Sequence, residues 1–290
     1  MSTRSVPRLA VTLSGLMLFA QVGVAVAATR LSVVPTTAHP GDPVLVTVTG
    51  GEGLPHGTAG GHPLTFFSAR AGYQAVFAVP LDAEPEPISV EVDSAVRPAT
   101  VEVVATTFPE TSIIVEDEMA NPPKPERDRI DADNAAILAA IAKARGELRF
   151  TRPFRRPPGE VTSVFGAWRT FNDGHRSQHL GVDLFAREGS RVRAVNAGAV
   201  VLVRDCFLAG NVVVVAHGGG IASAYFHLSK VSVAEGDTVA QGSELGLAGH
   251  TGRTTGPHLH LAVWVPGGFV DPARFFQLRL APAPAKITER

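Results

Sequence analysis

One cysteine, Cys206, stands in the whole 290-residue chain, so no intrachain disulfide can form. An oxidising compartment is tolerated but not exploited for cross-linking. Cys206 lies in "VRDCFLAG" with no helix start or neighbouring histidine to activate a thiolate, so it reads as a small apolar packing residue near a strand end. An excess of charge is also missing: 26 Lys+Arg against 27 Asp+Glu give a formal net charge of −1. A nucleic-acid footprint should be basic, and this balance gives no support to such a partner. Tryptophan and tyrosine are scarce, two of each, whereas 29 glycines and 22 prolines punctuate the chain. That composition points to a turn-rich β scaffold and away from a helical bundle.

Long apolar runs are absent too, with one exception at the start. "LAVTLSGLMLFAQVGVAVAA" follows Arg4 and Arg8 and ends in small residues at Ala27 and Ala28. A charged region, an apolar region and a small-residue exit make residues 1–27 a secretory signal peptide. A membrane anchor is the competing reading, because the stretch approaches the minimum spanning length. Gly15, Gln21 and Gly23 dilute it, and no cysteine stands at the exit to take a lipid. The protein is therefore expected in the periplasm or outside the cell, without a transmembrane anchor in its mature form. Its mature charge is more acidic still, since two bases leave with the signal.

Residues 30–115 carry short β-like runs, among them "PVLVTVTG", "YQAVFAVP" and "PISVEVD", broken by "HPGD", "GGEG" and "DAEPEP". Strands at this spacing predict a small antiparallel sandwich. Its turn histidines, His56 and His62, read as polar loop residues. Residues 116–147 hold a charged, proline-rich stretch, "EDEMANPPKPERDR", expected to be an extended linker or an exposed crossing, and then one helix, "DADNAAILAAIAKARG". Asp131 or Asp133 would cap the helix, Ile137, Leu138 and Ile141 would pack, and Gly146 would stop it. From 148 to 278 β signals return, with glycine at nearly every join and no room for crossover helices. Residues 279–290 form a tail. The fold class is thus all-β and mostly antiparallel: a β-sandwich, one linking helix and a second β domain.

The ten histidines are unevenly spread, and most fall in that last domain. "HLGVD" sets His179 and Asp183 four apart around Gly181, "YFHLS" ends a strand with His227, and "PHLHL" puts His258 and His260 on one strand face. Zinc takes imidazole nitrogen and carboxylate oxygen, and catalytic sites use three protein ligands with one position open. One aspartate and four histidines exceed that need, and a spare imidazole beside the open position suits a general base or an oxyanion stabiliser. The strand argument does not decide which of His258 and His260 takes the metal. Each piece alone has a bland reading as a satisfied or strand-end residue, but together they would be several costly polar burials in one domain.

The stretches "VTSVFGAWRTFNDGHRSQHLGVDLFA" and "GNVVVVAHGGGIASAYFHLS" through "GHTGRTTGPHLHLAVWV" resemble the lysostaphin/LytM-type zinc metallopeptidases, which cut peptides of bacterial peptidoglycan. H-x-G-x-D, H-L-S after a tyrosine, and T-G-x-x-T-G-P-H-L-H all occur in order. The resemblance implies one Zn2+ on His179, Asp183 and His260, with His227 and His258 as catalytic histidines. It implies a β groove walled by "GAWRTFNDGHRSQ" and "GHTGRTTG", with His175 facing substrate or solvent. It casts His217 and His250 as structural. Peptidoglycan stems and cross-links would be the partner, and a D-alanyl–meso-diaminopimelate bond the target, with Arg169 or Arg176 binding substrate carboxylates. The alternative is a non-catalytic peptidoglycan-binding regulator of another wall hydrolase, although such relatives typically lack metal ligands. Ala262, where many relatives carry an acidic or polar residue, would remove a polar group from near the groove floor and alter specificity or the support of a ligand histidine. The front half resembles the immunoglobulin-like domain of some Gram-negative relatives and is expected to position or shield the groove.

Overall fold

Valines at alternate positions of "PVLVTVT" build a strand whose Val44, Val46 and Val48 point one way and whose Leu45 points the other, and all four are buried. A strand hidden on both faces lies between two layers, and this one organises the molecule. The computed structural model describes residues 28–284, except 52, 94, 96 and 173. The predicted signal segment and the last residues of the tail lie outside the described residues.

In the front half, strands β1 (Arg30–Val34), β3 (Pro43–Thr49), β6 (Phe67–Ala69) and β7 (Gly72–Ala78) form one sheet in the order β1-β3-β7-β6. Strands β2 (Thr37–Ala38), β4 (Gly57–Ala59), β5 (His62–Pro63), β8 (Ile88–Val92) and β9 (Ala99–Val103) form a second, in the order β2-β9-β8-β4-β5. Val44, Val46, Ala75 and Phe77 meet Val90, Val92 and Val101 between the sheets. His56 and His62 are exposed, and no metal-binding group forms around them among the described residues.

The crossing is not extended. Strand β10 (Glu110–Ile113) and a short helix α1 (Asp117–Ala120) precede helix α2, which runs from Lys124 to Ala142. The helix starts seven residues before the expected Asp131 because Pro125 fits its first turn and Lys124 pairs with Asp128 one turn on, at 2.8 Å. Asp131 is an exposed helical residue, not a cap. Asp133 is buried within the helix, where it accepts bonds from Arg204 Nε at 2.7 Å and the Phe207 amide at 2.8 Å. Ile137 and Ile141 pack as expected, whereas Leu138 is 54% exposed.

The back half is built on a ten-stranded sheet. Its strands are β11 (Val161–Ser163), β14 (Val182–Phe185), β15 (Arg191–Arg193), β16 (Gly198–Cys206), β17 (Gly210–Gly218), β18 (Ile221–Val231), β19 (Thr238–Val239), β20 (Glu244–Ala248), β21 (His258–Val265) and β22 (Gly268–Val270). The central order is β11-β14-β21-β18-β17-β16-β19. One face carries Val213, Val215, Tyr225, Leu259 and Leu261 into a core closed by Val192, Val195 and Leu245. On the opposite face, Ile137, Ala140 and Ile141 of α2 join an apolar layer with Val212, Val214, Ala222, Ala224, Phe226 and Ala262. Ala262 lies in this apolar layer, two residues beyond His260 on β21. Cys206 is buried in this same layer. Farther along this same face, beyond the part that α2 joins, lie His258 and His260, four and two residues before Ala262 on β21.

The halves share a core. Leu45, Phe67, Val76 and Ala78 of the front sheet pack with Phe150, Val263, Val265, Val270 and Phe275 of the back. Backbone bonds cross as well, from Ala78 N to Pro266 O and from Asp271 N to Gly41 O, each 2.9 Å. Residues 281–283 return to β6 through Arg70 N to Ala281 O at 2.9 Å and Ala283 N to Ser68 O at 3.0 Å, so the described part of the tail is bound.

Candidate metal centre

Antiparallel pairing of β14 with β21 sets Asp183 directly opposite His260, and Phe185 opposite His258. Directly opposed residues share a face, so four side chains are aimed at one place by register alone. His179 arrives from outside the strand: its amide bonds Ala167 O at 2.9 Å and its carbonyl accepts from Gly166 N at 2.8 Å. Gly181 makes the approach possible, since a Cβ there would lie 2.8 Å from the His260 ring and 2.5 Å from the Leu261 carbonyl oxygen.

His227 needs a different device. Phe226 pairs with His260 and lies on its face, so strict alternation would send His227 to the other side. A bulge in β18 and a left-handed backbone at His227, φ +61°, turn the side chain back. Its ring centroid then stands 5.0 Å from that of His258 and 6.0 Å from that of His260. A non-glycine residue in this conformation is strained, and such residues gather at functional sites.

His179 Nε2, His260 Nδ1 and Asp183 Oδ1 form a triangle with sides of 2.8, 2.8 and 3.0 Å. His179 Nδ1 lies 2.8 Å from Val164 O, and a carbonyl only accepts, so the proton of the neutral ring is on Nδ1. The lone pair of Nε2 thus faces a carboxylate oxygen and a second ring nitrogen. Protons cannot satisfy that arrangement fully, whereas a cation at its centre does, and two imidazoles with one carboxylate are a donor set that zinc takes. Burial raises the Asp183 pKa, but hydrogen bonds and charges from His179 and His260 outweigh it and hold the carboxyl far below its ordinary range. Burial pushes His260 down to about 4 against the pull of Asp183. Asp183 is therefore held ionised and His260 neutral, as metal binding requires of each.

His258 stands beside the triangle with Nε2 3.5 Å from Asp183 Oδ1, and its Nδ1 donates to Gly256 O at 2.9 Å. His227 Nδ1 donates to Thr251 O at 2.8 Å. Burial, then the neighbouring His260 and His258, lowers His227 to about 3. Phe185, 55% exposed, provides an apolar surface next to His258.

Two walls flank the site. Strands β12 (Trp168–Phe171) and β13 (His175–Gln178) make a hairpin, and β10 adds to it in parallel. The other wall is the loop 250–256, whose Arg253 lays its guanidinium 3.9 Å from the Phe171 ring centre and so braces one wall against the other. The two arginines expected to receive substrate already have carboxylate partners. Arg176 bonds Glu110 at 2.6 Å and covers Trp168, and Arg169 bonds Asp183 Oδ2 at 2.5 Å. His250 pairs with Glu188 at 3.3 Å, and His175 lies exposed on β13.

The front half, expected to position or shield the groove, contributes to this wall through β10 and Val115. Asn172 grips Val115 from both sides, accepting from its amide at 3.0 Å and donating to its carbonyl at 2.8 Å. Val115, Glu116 and Met119 then face His250, Thr254 and Gly256 across a cavity of about 260 Å3. The β-branched residues of "ETSI" were the available signal, masked by the acidic run that follows them.

Residues 177–272 match the model of Peptidase family M23. The chain is 44% identical over 89 residues to the peptidoglycan DD-endopeptidase ShyA of Vibrio cholerae, covering 31% of this chain and 21% of that protein. It is 40% identical over 94 residues to the DD-carboxypeptidase/endopeptidase Mpg of Neisseria meningitidis, covering 32% and 22%. The matched stretch thus spans less than a third of the length of these curated relatives. A crystal structure of an M23 peptidase from Pseudomonas aeruginosa superposes with a TM-score of 0.58 at 28% identity, covering 82% of this chain and 93% of that one. That coverage reaches beyond the matched residues into the front half. Residues 177–272 are thus similar to Peptidase family M23, and their His–Asp–His set fits one zinc ion.

Proposed function

We propose that the protein is a zinc-dependent endopeptidase that hydrolyses peptide cross-links of bacterial peptidoglycan, working in the periplasm or outside the cell after removal of residues 1–27. The observation that carries this reading is the triangle of His179, Asp183 and His260 with two further imidazoles beside it. Zinc held by those three residues would act as a Lewis acid and lower the pKa of a bound water toward neutrality. The protein's own contribution is proton management. In the neutral rings of His258 and His227 the backbone carbonyls hold the proton on Nδ1, which leaves both Nε2 atoms as acceptors. Whichever takes a proton becomes the donor that the developing oxyanion and then the leaving amine require. Retention of all three ligand residues favours this activity over a non-catalytic regulator.

For the bond cut, we favour D-alanyl–meso-diaminopimelate over glycyl-glycine, supported by the similarity to the peptidoglycan DD-endopeptidase ShyA and the DD-carboxypeptidase/endopeptidase Mpg. The test is digestion of purified, directly cross-linked muropeptide dimers against pentaglycine, with mass analysis of the products. Dimer cleavage that stops with a zinc chelator and returns with zinc is expected. Intact dimers with cleaved pentaglycine would overturn the bond, and two intact substrates the activity.

A further inference from the structure

The two oxygens of Asp183 have separate environments. Oδ1 faces His179, His260 and His258 at 3.0, 2.8 and 3.5 Å. Oδ2 faces Nη2 of Arg169 at 2.5 Å. The same Nη2 bonds Ser163 Oγ at 2.9 Å, and Ser163 Oγ lies 3.4 Å from His179 Nδ1. Arg169 comes from the wall hairpin and Ser163 from β11, the strand paired with β14. Arg169 thus takes the oxygen that turns away from the ligand triangle, and Ser163 takes Arg169. Both Arg169 and Asp183 are largely removed from solvent, with side chains 19% and 9% exposed. A charge-assisted bond in such a place is short and strong, and it restricts rotation of the carboxylate.

We propose that Arg169 is a positioning residue for the metal centre: by holding Oδ2 it lets Asp183 offer only Oδ1, and so keeps a coordination position open for chemistry. A carboxylate able to offer both oxygens would fill that position itself. Ser163 sets the arginine's place by accepting from the same Nη2, and its Oγ is a second, longer acceptor beside His179 Nδ1. The sequence read Arg169 as a substrate contact, but its carboxylate partner belongs to the protein. The inference rests on the reading of His179, Asp183 and His260 as ligands, and it assigns Arg169 no contact with the reacting atoms.

The test uses the full mature chain, with zinc affinity from chelator competition and cobalt(II) substitution read by visible absorption. Four-coordinate cobalt absorbs much more strongly than five-coordinate cobalt, so the spectrum reports how many oxygens Asp183 gives. Arg169→Met should weaken zinc about 10–100-fold, the usual effect of losing a partner of a ligand residue. It should also reduce the cobalt band, a change that loss of packing alone would not make. Arg169→Lys should restore most of the band. Ser163→Ala should move both readouts in the same direction by less, and it carries the test if Arg169→Met does not fold. Wild-type cobalt spectrum and zinc affinity in the variants would overturn the inference alone. A wild-type chain that binds no metal would overturn the ligand reading, and this inference with it.

Discussion

The two β halves obey the same alternation and differ in what it hides. The front sandwich buries Val44, Val46, Phe77, Val90 and Val101, and its buried polar residues, Asp42 and Gln74, lie outside that cluster. The back sheet buries His179, Asp183, His217, Ser223 and His227 among its strands. Buried polar groups are costly unless satisfied, and the back half handles them in two ways. Around His217 every group has a partner: Nδ1 donates to Ala197 O at 2.8 Å, Nε2 accepts from Ser223 Oγ at 2.8 Å, and Tyr225 links Ser223 to the Val195 amide. Around His179 lone pairs converge on one another. A histidine that completes a network supports the fold, and one whose lone pair meets other acceptors is waiting for a cation.

The sharpest way to break this contrast is to remove a ligand. His179→Ala should retain the far-ultraviolet spectrum of the wild type and lose nearly all zinc and all measurable turnover. Metal content by atomic emission and a fragment assay decide it, and full zinc occupancy in the variant would dissolve the difference between the two histidines. Next in size is separation of the halves. The front supplies Leu45, Phe67, Val76 and Ala78 to the shared core, and burial of each large apolar side chain contributes about 1.5–3 kcal/mol. A chain beginning at Ile130 loses all of them and the first turns of α2. It should lose several kcal/mol, a large part of the 5–15 kcal/mol typical of a domain. Thermal unfolding measures this, and a midpoint equal to that of the whole chain would mean the shared core contributes nothing. The third effect is smaller. His258→Ala should keep its zinc and lose roughly 10²-fold or more in turnover, the scale of a missing acid–base group. Near-normal cleavage would remove His258 from the chemistry.

Much of this was legible in the sequence because register is local. The front strands, the groove strands and the placing of His258 and His260 on one face all follow from alternation at period two. The crossing was misread because proline and charge signal an extended chain equally well when they begin a helix, as Pro125 and the Lys124–Asp128 pair do here. Other features depended on distant partners. Nothing near Glu110 announces that it will pair with β12, and nothing near Arg169 announces Asp183, fourteen residues on, as its partner. The turn of His227 toward the site was hidden for a deeper reason, because a bulge breaks the alternation from which faces are inferred.

The mildest test bears on the satisfied histidine. Burial lowers His217 to about 4, with the Ala197 carbonyl opposing the shift only partly. Its ordinary value is about 6.5, so between those limits the unfolded chain binds a proton that the folded one refuses. Stability from this group is therefore complete above about pH 6.5, declines as pH falls, and is gone below about 4. The two values bound the contribution at about 3 kcal/mol, and residual solvation in the folded state reduces it. His217→Gln lacks the titration, so its urea stability should fall less steeply over that window than the wild type's, whatever its stability at pH 7. The comparison belongs in the zinc-loaded protein, where the ligand histidines are held neutral in both variants. Parallel pH curves would show that His217 is protonated in the folded state, and its network would then need a different assignment of protons.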